Sequence, residues 1–270
     1  MTSQRLLAFG LKFYIVVFFA YLFLPLLIMS LATFNDSRFP TVTPWGGTTL
    51  RWFGELWRDG GMWQALSNSL MVAAGVLVLA VPIGISSALF LNTVSSRAKP
   101  FIYALILSPL LTPGVIIGIS TLIFWRQFGV SGGIFLTVLG QTTFIAAYVM
   151  LMVMARLQRF DRTMERAALD LGASQWQMFR RILLPYLKPA ILSAAVIAFL
   201  QSFENYNTTL FVAGYDTTLT VYIASQVRTG LTPAVNALGL ILILITVVLA
   251  VAYELKRRRE VANAQPAGAM

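Results

Sequence analysis

Long uncharged stretches of apolar residues alternate with short polar segments along almost the whole chain. Six stretches are long enough to span a bilayer, which takes about 20 helical residues, and they lie near residues 13–34, 66–94, 101–125, 134–155, 189–212 and 233–253. All but 189–212, which Glu204 interrupts, are continuously apolar instead of alternating between apolar and polar positions, which favours helices over the strands of a barrel. The pattern therefore predicts an all-α membrane protein with six transmembrane helices in one domain, residues 1–270.

Composition agrees with this prediction and excludes several kinds of chemistry. Hydrophobic residues make up 58% of the chain and charged residues 11%, against about 45–50% and about 25% in soluble domains. Cys and His are absent, which excludes disulfides, Cys/His metal sites and catalysis by a Cys nucleophile or a His base. No lysine follows a glycine as in a phosphate-binding loop. The sequence predicts no enzyme activity, metal or bound cofactor for this chain.

The net charge of +10 is explained by topology. If the N-terminus is placed in the cytoplasm, most Lys and Arg residues fall in the terminal segments and loops on that side, as the positive-inside rule requires. Both termini are therefore predicted to be cytoplasmic. No basic soluble domain is available to bind nucleic acid, so nucleic acid is not expected as a partner.

Tryptophan is concentrated between the first and second apolar stretches. This segment, residues 35–65, holds Trp45, Trp52, Trp57 and Trp63. Amphipathic rings settle at the level of the lipid headgroups, so the segment is predicted to lie along the outer membrane interface. Contact with a soluble partner outside the membrane is the alternative.

The one long cytoplasmic loop, residues 156–188, has the pattern of two short helices. Asp161 is a suitable N-cap for the first. Gly172 can adopt the left-handed conformation that commonly ends a helix. Ser174 and Gln177 form the capping-box pattern that begins the second. These signals predict a helix–turn–helix on the cytoplasmic side.

The first of these helices carries an apolar stripe. Its positions are Met164, Ala167, Ala168 and Leu171, spaced as on one helix face. Pro185 is predicted to end the second helix. A short apolar stripe without a core of its own indicates docking into a groove of another protein. The alternative is a solvated loop that is basic for topological reasons alone.

The loop resembles the EAA signature of the permease subunits of bacterial ABC importers, broadly E-A-A-x3-G-x9-I-x-L-P. The matching positions are Ala167, Ala168, Gly172, Ile182, Leu184 and Pro185. Arg166 stands at the place of the motif's glutamate, and Glu165 precedes it. The resemblance implies a type I ABC importer permease fold with a cytoplasmic coupling helix pair, in which Glu165, Ala173 and the matching residues contact an ATP-hydrolysing subunit.

A longer resemblance points to a subgroup. The segments SFENYNTTLFVAG (202–214) and VYIASQVRTGLTPAVNALG (221–239) and the basic tail KRRR are similar to permeases of the spermidine/putrescine class. This implies a multi-pass subunit of the bacterial inner membrane that forms half of a translocation pathway for a polyamine or related organic cation. The implied partners are a second homologous permease subunit, two copies of an ATP-binding subunit that hold ATP and Mg²⁺, a periplasmic solute-binding protein and the lipid bilayer.

Polar and proline residues within the apolar stretches are candidates for lining the pathway. A charge at the bilayer centre costs about 2.5–3.5 kcal/mol, so Glu204, with Asn205 and Tyr206 beside it, is predicted to face a path for a cation. Ion pairing with an arginine, or a position in headgroup water, is the alternative for Glu204. Pro113 interrupts the third stretch, and broken helices at membrane depth often line cavities.

Other functions compatible with the spans remain open. One is an ABC importer permease for a different solute, such as a metal ion, a phosphonate or an amino-acid-like compound. A second is an ion-coupled secondary transporter, for which inverted repeats and several acids at the midplane would be expected. A third is a membrane scaffold, which would leave the capped cytoplasmic helices without a role.

Overall fold

The computed structural model describes residues 2–229 and 233–264, and its regular elements are helices. They are α1 (Thr2–Ala32), α2 (Arg51–Arg58), α3 (Gly60–Thr93), α4 (Lys99–Leu111), α5 (Gly114–Arg126), α6 (Ile134–Leu157), α7 (Arg162–Asp170), α8 (Gln175–Met178), a π-helical turn (Phe179–Leu183), α9 (Leu184–Phe203), α10 (Thr209–Val212), α11 (Leu219–Thr229) and α12 (Pro233–Ala264). The prediction of an all-α protein is confirmed for this part of the chain.

Four helical segments of the described residues are long and apolar enough to cross a membrane. They are Leu7–Ala32, Gly60–Thr93, Ile134–Leu157 and Gln175–Phe203. The helices α4 and α5 meet at a bend of 102° and make a fifth span if they are counted as one. The apolar part of α12, Pro233–Val248, is shorter than these four segments. The chain is thus a multi-pass membrane protein. Residues 230–232 of the predicted 221–239 segment, and the side chains of most of the KRRR tail, lie outside the described residues.

The fifth apolar stretch folds differently from its prediction over 189–212. Helical structure begins at Gln175 and continues through the π-helical turn into α9, which ends at Phe203. The prediction that Pro185 ends a helix is wrong. Pro185 lies in the first turn of α9, directly after the π-helical turn, where the Leu184 N–H donates to the Phe179 carbonyl five residues earlier. A widened turn and an N-terminal position both tolerate a residue that lacks an N–H.

The chain divides into two compact units, and the first comprises residues 1–60 and 225–270. Its ordered loop is organised by Asn35, which is fully buried. The Asn35 side chain donates to the carbonyls of Thr41 (2.8 Å) and Pro44 (3.0 Å), and its backbone carbonyl accepts from the Trp52 indole (2.9 Å). Trp52 is therefore part of this unit's interior. Trp45 and Trp57 are exposed, and their placement at the membrane interface stays a prediction.

The second unit comprises residues 61–224 and is built around α6. α6 packs against α4, α5, α9 and α10. Of its most apolar 18-residue stretch, 61% is buried inside the protein. Gly84 of α3 allows close approach to α6, because a Cβ at this position would lie 2.6 Å from Val149 and 2.7 Å from the Ala146 carbonyl. By contrast, α4 has no buried residue. The side chains of the core are therefore supplied mainly by α3, α6 and α9.

Candidate functional site

The first candidate site is the helix pair, defined as residues 161–178 and comprising α7, a turn and α8. Asp161 begins it as predicted, because its Oδ1 accepts a hydrogen bond from the Thr163 backbone N–H at 2.8 Å. Hydrogen bonds from the Thr163 side chain and backbone hold the pKa of Asp161 below its ordinary value. The ionised carboxylate also lies at the positive end of the α7 dipole.

The turn of the helix pair closes through backbone bonds. Gly172 has φ +83°, its N–H donates to the Leu169 carbonyl at 2.9 Å, and the Ala173 N–H donates to the Ala168 carbonyl at 3.0 Å. These two bonds form a Schellman motif, which favours glycine at the left-handed position. The capping box is complete, since the Gln177 N–H donates to Ser174 Oγ (3.2 Å) and the Ser174 N–H donates to Gln177 Oε1 (2.9 Å).

The helix pair turns most of its apolar side chains outward. The exposed fraction is 89% for Leu171, 65% for Trp176 and 53% for Met164. Ala168 and Met178 are buried and form the inner side of the pair. The predicted stripe is thus divided, with Ala168 packed inward and its other members exposed. An exposed apolar surface on capped helices is suited to contact with another protein.

One polar anchor joins the helix pair to a span, and a second contact joins two of the spans beside it. The Arg162 guanidinium donates to the Asn92 carbonyl (3.3 Å) and to Asn92 Oδ1 (3.2 Å) at the end of α3. Arg156, at the end of α6, lies 4.2 Å from the centre of the Tyr186 ring in α9, and the Tyr186 hydroxyl donates to the Arg156 carbonyl at 3.4 Å. A displacement of the helix pair therefore acts on α3 through Arg162 and on α9 through the continuous helix from α8, and the Arg156–Tyr186 contact couples α9 to α6.

The predicted coupling residues fall into two groups in the structure. Glu165, Ala167, Ala168, Gly172 and Ala173 belong to the helix pair. The others lie in the π-helical turn or at the start of α9, where Ile182 and Leu184 are half-buried and Pro185 is exposed. The residues that match the EAA signature thus extend from the exposed helix pair to the beginning of α9.

The second candidate site is a polar cavity of about 130 Å³ between two breaks in the spans. One break separates α4 from α5 at Thr112 and Pro113, and the other separates α9 from α10 at residues 204–208. The lining residues are Pro109, Leu110, Thr112, Gly114, Ile117, Phe144, Tyr148, Gln201, Asn205, Asn207 and Thr208. Amides, hydroxyls and two aromatic rings line the cavity, and its lining carries no ionised side chain.

A buried hydrogen-bond network holds the second break in place. Gln141 of α6 is fully buried, accepts from Ser202 Oγ at 2.5 Å, and donates to Thr209 Oγ1 at 2.8 Å. Thr209 Oγ1 donates in turn to Asn205 Oδ1 at 3.0 Å. Asn205 Oδ1 also accepts from the backbone N–H groups of Thr208 and Thr209, each at 3.2 Å. The side chain of Asn205 therefore caps α10.

The same region brings α5 close to the segment after α9. Thr208 Oγ1 donates to the Gly114 carbonyl at 3.1 Å. Gly118 has no room for a side chain, because a Cβ there would lie 2.6 Å from the Thr208 carbonyl oxygen. Close packing of α5 on this segment therefore depends on the small size of both glycines.

The structure separates the four predicted pathway residues. Asn205 lines the polar cavity, and Pro113 lies at the α4–α5 break between the lining residues Thr112 and Gly114. Glu204 is exposed at the end of α9 and Tyr206 is half-buried, and neither lines the cavity. Sequence reasoning missed Gln141, although a lone amide within an apolar stretch was a signal that could have found it.

No cluster of three or more His, Cys, Asp or Glu side chains suited to a metal ion occurs in the described parts of the chain. The side chains of both candidate sites are held by hydrogen bonds and packing.

The chain is similar to known transport proteins over nearly its full length. It is 33% identical over 247 residues to the spermidine/putrescine transport system permease protein PotC of Escherichia coli K12, covering 91% of this chain and 92% of that protein. It is 36% identical over 251 residues to the putrescine transport system permease protein PotI of the same organism, covering 90% and 89%. These relatives are transport subunits, as the sequence predicts for this chain.

Solved structures show the same fold. A chain in the crystal structure of a bacterial alginate ABC transporter, in complex with an alginate pentasaccharide-bound periplasmic protein, matches with a TM-score of 0.72 at 20% identity, covering 95% of this chain and 96% of that chain. The type I permease fold implied by the EAA resemblance is thereby confirmed. Residues 80–260 match the family described as the binding-protein-dependent transport system inner membrane component. On this match and the identity to its curated relatives, the chain belongs to that family of inner-membrane transport components.

Proposed function

We propose that this chain is a permease subunit of an ATP-driven importer of polyamines or related organic cations in the bacterial inner membrane. The observation that carries the proposal is the identity of 33% and 36% to permeases named for spermidine/putrescine and putrescine transport, over about nine-tenths of the chain. The proposal includes six spans with both termini in the cytoplasm. A second permease subunit, two ATP-binding subunits and a periplasmic binding protein complete the importer.

In this proposal the helix pair docks into a cleft of an ATP-binding subunit. Support comes from the exposure of Met164, Leu171 and Trp176 on two helices whose N-termini are capped by Asp161 and Ser174. Arg162 bonds to α3, α8 continues into α9, and Arg156 of α6 contacts Tyr186 of α9. Because of these connections, closure of the ATPase subunits would tilt three spans together. This is how ATP hydrolysis would alternate access between the two sides of the membrane.

The polar cavity would form part of the translocation pathway. Two interrupted spans meet there, and irregular backbone at membrane depth is tolerated where it lines a cavity. Amide and hydroxyl oxygens can accept hydrogen bonds from an alkylammonium group, and the rings of Phe144 and Tyr148 can attract a cation through their faces. A neutral lining suits passage, since a conducting site must bind a cation weakly enough to release it.

Glu204 has a different role in the proposal. Its carboxylate is exposed where α9 ends and lies outside the lining of the polar cavity. It forms no ion pair with another residue in the described parts of the chain. An unpaired exposed carboxylate raises the local concentration of cations near the cavity without holding them tightly.

The direct test is uptake by the source bacterium with and without this chain. We expect uptake of labelled putrescine or spermidine to be lost when the chain is deleted and restored when it is supplied again. Uptake should depend on ATP and persist when the proton gradient is collapsed. Undiminished polyamine uptake in the deletion strain would indicate another solute, and loss of uptake on collapsing the gradient would favour a secondary transporter.

A further inference from the structure

A second cavity, the Lys99 cavity, lies where α3 ends, α4 begins and α6 ends. Its volume is about 330 Å³, and its lining residues are Leu91, Asn92, Lys99, Pro100, Tyr103, Met154 and Gln158. These residues lie at the same end of α6 as the helix pair, because α6 ends at Leu157 and α7 follows at Arg162. The proposed transport function assigns no role to this cavity.

The lining of the Lys99 cavity combines apolar side chains with cationic and polar ones. Leu91, Met154 and Pro100 supply the apolar part, and Lys99, Asn92 and Gln158 the polar part. Within the described residues, no ion pair joins the Lys99 ammonium to an acidic side chain. Arg162 adds a second cation at the rim, where its guanidinium donates to Asn92.

The surroundings of the cavity are suited to lipid. α4 has no buried residue, and Phe101 and Leu105 expose 72% and 62% of their surface. An apolar helix without buried positions faces lipid in a membrane protein. Lys99 is the first residue of this helix, which places its ammonium at the end of an apolar segment, the level at which headgroups lie.

We infer that the Lys99 cavity binds one anionic phospholipid. The phosphate is held by Lys99, with Arg162 nearby, and the upper acyl chain lies along Leu91, Met154 and Tyr103. Basic pockets at the ends of transmembrane helices bind anionic headgroups in this way. Charge complementarity distinguishes this occupant from a zwitterionic lipid, and the apolar lining distinguishes it from a free phosphate.

A lipid in this cavity would also influence the helix pair. Asn92 lines the cavity and accepts two hydrogen bonds from Arg162, the first residue of α7. An occupied cavity fixes the end of α3 and therefore the anchor of α7. Anionic lipid would thus steady the helix pair independently of the solute that the protein transports.

Native mass spectrometry of the purified, assembled transporter tests this inference. With phosphatidylglycerol and phosphatidylcholine supplied in equal amounts, we expect the wild-type protein to retain one phosphatidylglycerol. Lys99→Gln should weaken retention roughly tenfold, the loss expected for one charge-assisted contact. Lys99→Arg should retain the lipid, and Lys188→Gln, an exposed position on α9, is the matched control that should leave retention unchanged.

Two further results would overturn the inference. Equal retention of phosphatidylglycerol by the wild-type protein and Lys99→Gln would show that the lipid binds elsewhere. Displacement of the lipid by glycerol phosphate at similar concentration would show a phosphate site without an acyl-chain groove. If Lys99→Gln fails to assemble, the wild-type competition between the two lipids decides the question, since equal retention of both contradicts a charge-selective site.

Discussion

Gly172 is the residue at which the helix pair changes direction, and its φ of +83° is one that L-residues with side chains rarely adopt. A Cβ there would meet no atom within 4 Å. The requirement for glycine is therefore one of backbone conformation alone. This makes Gly172 a position at which the shape of the helix pair can be changed without a clash elsewhere.

Gly172→Val should leave the protein inserted in the membrane but abolish uptake and association with the ATPase. The left-handed conformation costs a non-glycine residue about 1–2 kcal/mol, and a β-branched residue fits it poorly. The turn would therefore open and the two helices would lose their relative orientation. Co-purification of the ATP-binding subunit and solute uptake are the measurements.

Gly129→Val is the matched control. Gly129 has φ +76° and equally open surroundings. It lies before the start of α6, whereas the helix pair lies after the end of α6. α6 has 24 residues and is therefore about 36 Å long, and the two glycines lie in the segments beyond its opposite ends. ATPase association should survive in Gly129→Val, and its loss in both variants would mean that general instability explains the effect.

Asp161 provides a pH dependence with a defined sign. Its folded-state pKa lies below the ordinary aspartate value of 3.8 because Thr163 donates hydrogen bonds to the carboxylate. The cap is therefore fully present above pH 3.8 and is lost as the pH falls through the lower, folded-state pKa. Hydrogen exchange of the α7 amides, corrected for intrinsic rates, should accelerate in that acidic range. Asp161→Asn caps without titrating, so α7 protection in this variant should be independent of pH there.

Glu204→Gln should weaken cation uptake without affecting assembly. The carboxylate is exposed and outside the polar cavity, so its loss removes attraction for cations but no packing. The half-saturating solute concentration should rise, and more so at low ionic strength, where charges act over longer distances. Glu204→Asp keeps the charge and is the control. Unchanged uptake kinetics in Glu204→Gln would show that the residue has no role in transport.

At the scale of the elements, α9 and its surroundings differ most from the sequence-based prediction. The caps at Asp161 and Ser174 and the turn at Gly172 were predictable, because each depends on residues within three or four positions of itself. The π-helical turn could not be predicted, because local rules treat Pro185 as a signal that ends a helix. The hydrogen-bond network around Gln141 was also not predictable from the sequence, because its partner Ser202 is 61 residues away.

Gln141→Leu should destabilise the protein by about 1–3 kcal/mol, the cost of leaving a buried polar partner without its hydrogen bond. Ser202 would lose its acceptor, and Thr209 would lose the donor that positions it beside Asn205. Thermal unfolding in detergent should show the loss, and uptake should fall because the lining of the polar cavity shifts.

Thr143→Val is the control on the same helix. Thr143 is exposed, and its hydroxyl donates only within α6, to the Leu139 carbonyl at 3.0 Å. Its stability and uptake should remain close to those of the wild-type protein. Wild-type behaviour of Gln141→Leu would mean that the network does not position the α9–α10 break.

For the whole molecule, the central claim is that the helix pair is the point at which an ATP-hydrolysing partner drives the spans. The Arg162–Asn92 anchor to α3, the continuous helix from α8 into α9 and the Arg156–Tyr186 contact between α6 and α9 supply the mechanical connection. The exposed apolar side chains supply the contact surface. The sequence predicted this surface through its motif, but the anchors required the fold, because they join residues as far apart as Asn92 and Arg162.

The absence of cysteine from the sequence makes site-specific labelling the most direct measurement. A single cysteine at Leu171 would replace the most exposed large apolar side chain of the helix pair. A cysteine at Tyr215, which is fully exposed, would lie near the opposite end of α6. In the assembled transporter, maleimide labelling should be strongly slowed at Leu171→Cys compared with the chain alone and unchanged at Tyr215→Cys. Equal labelling rates at Leu171→Cys in both samples would contradict the account.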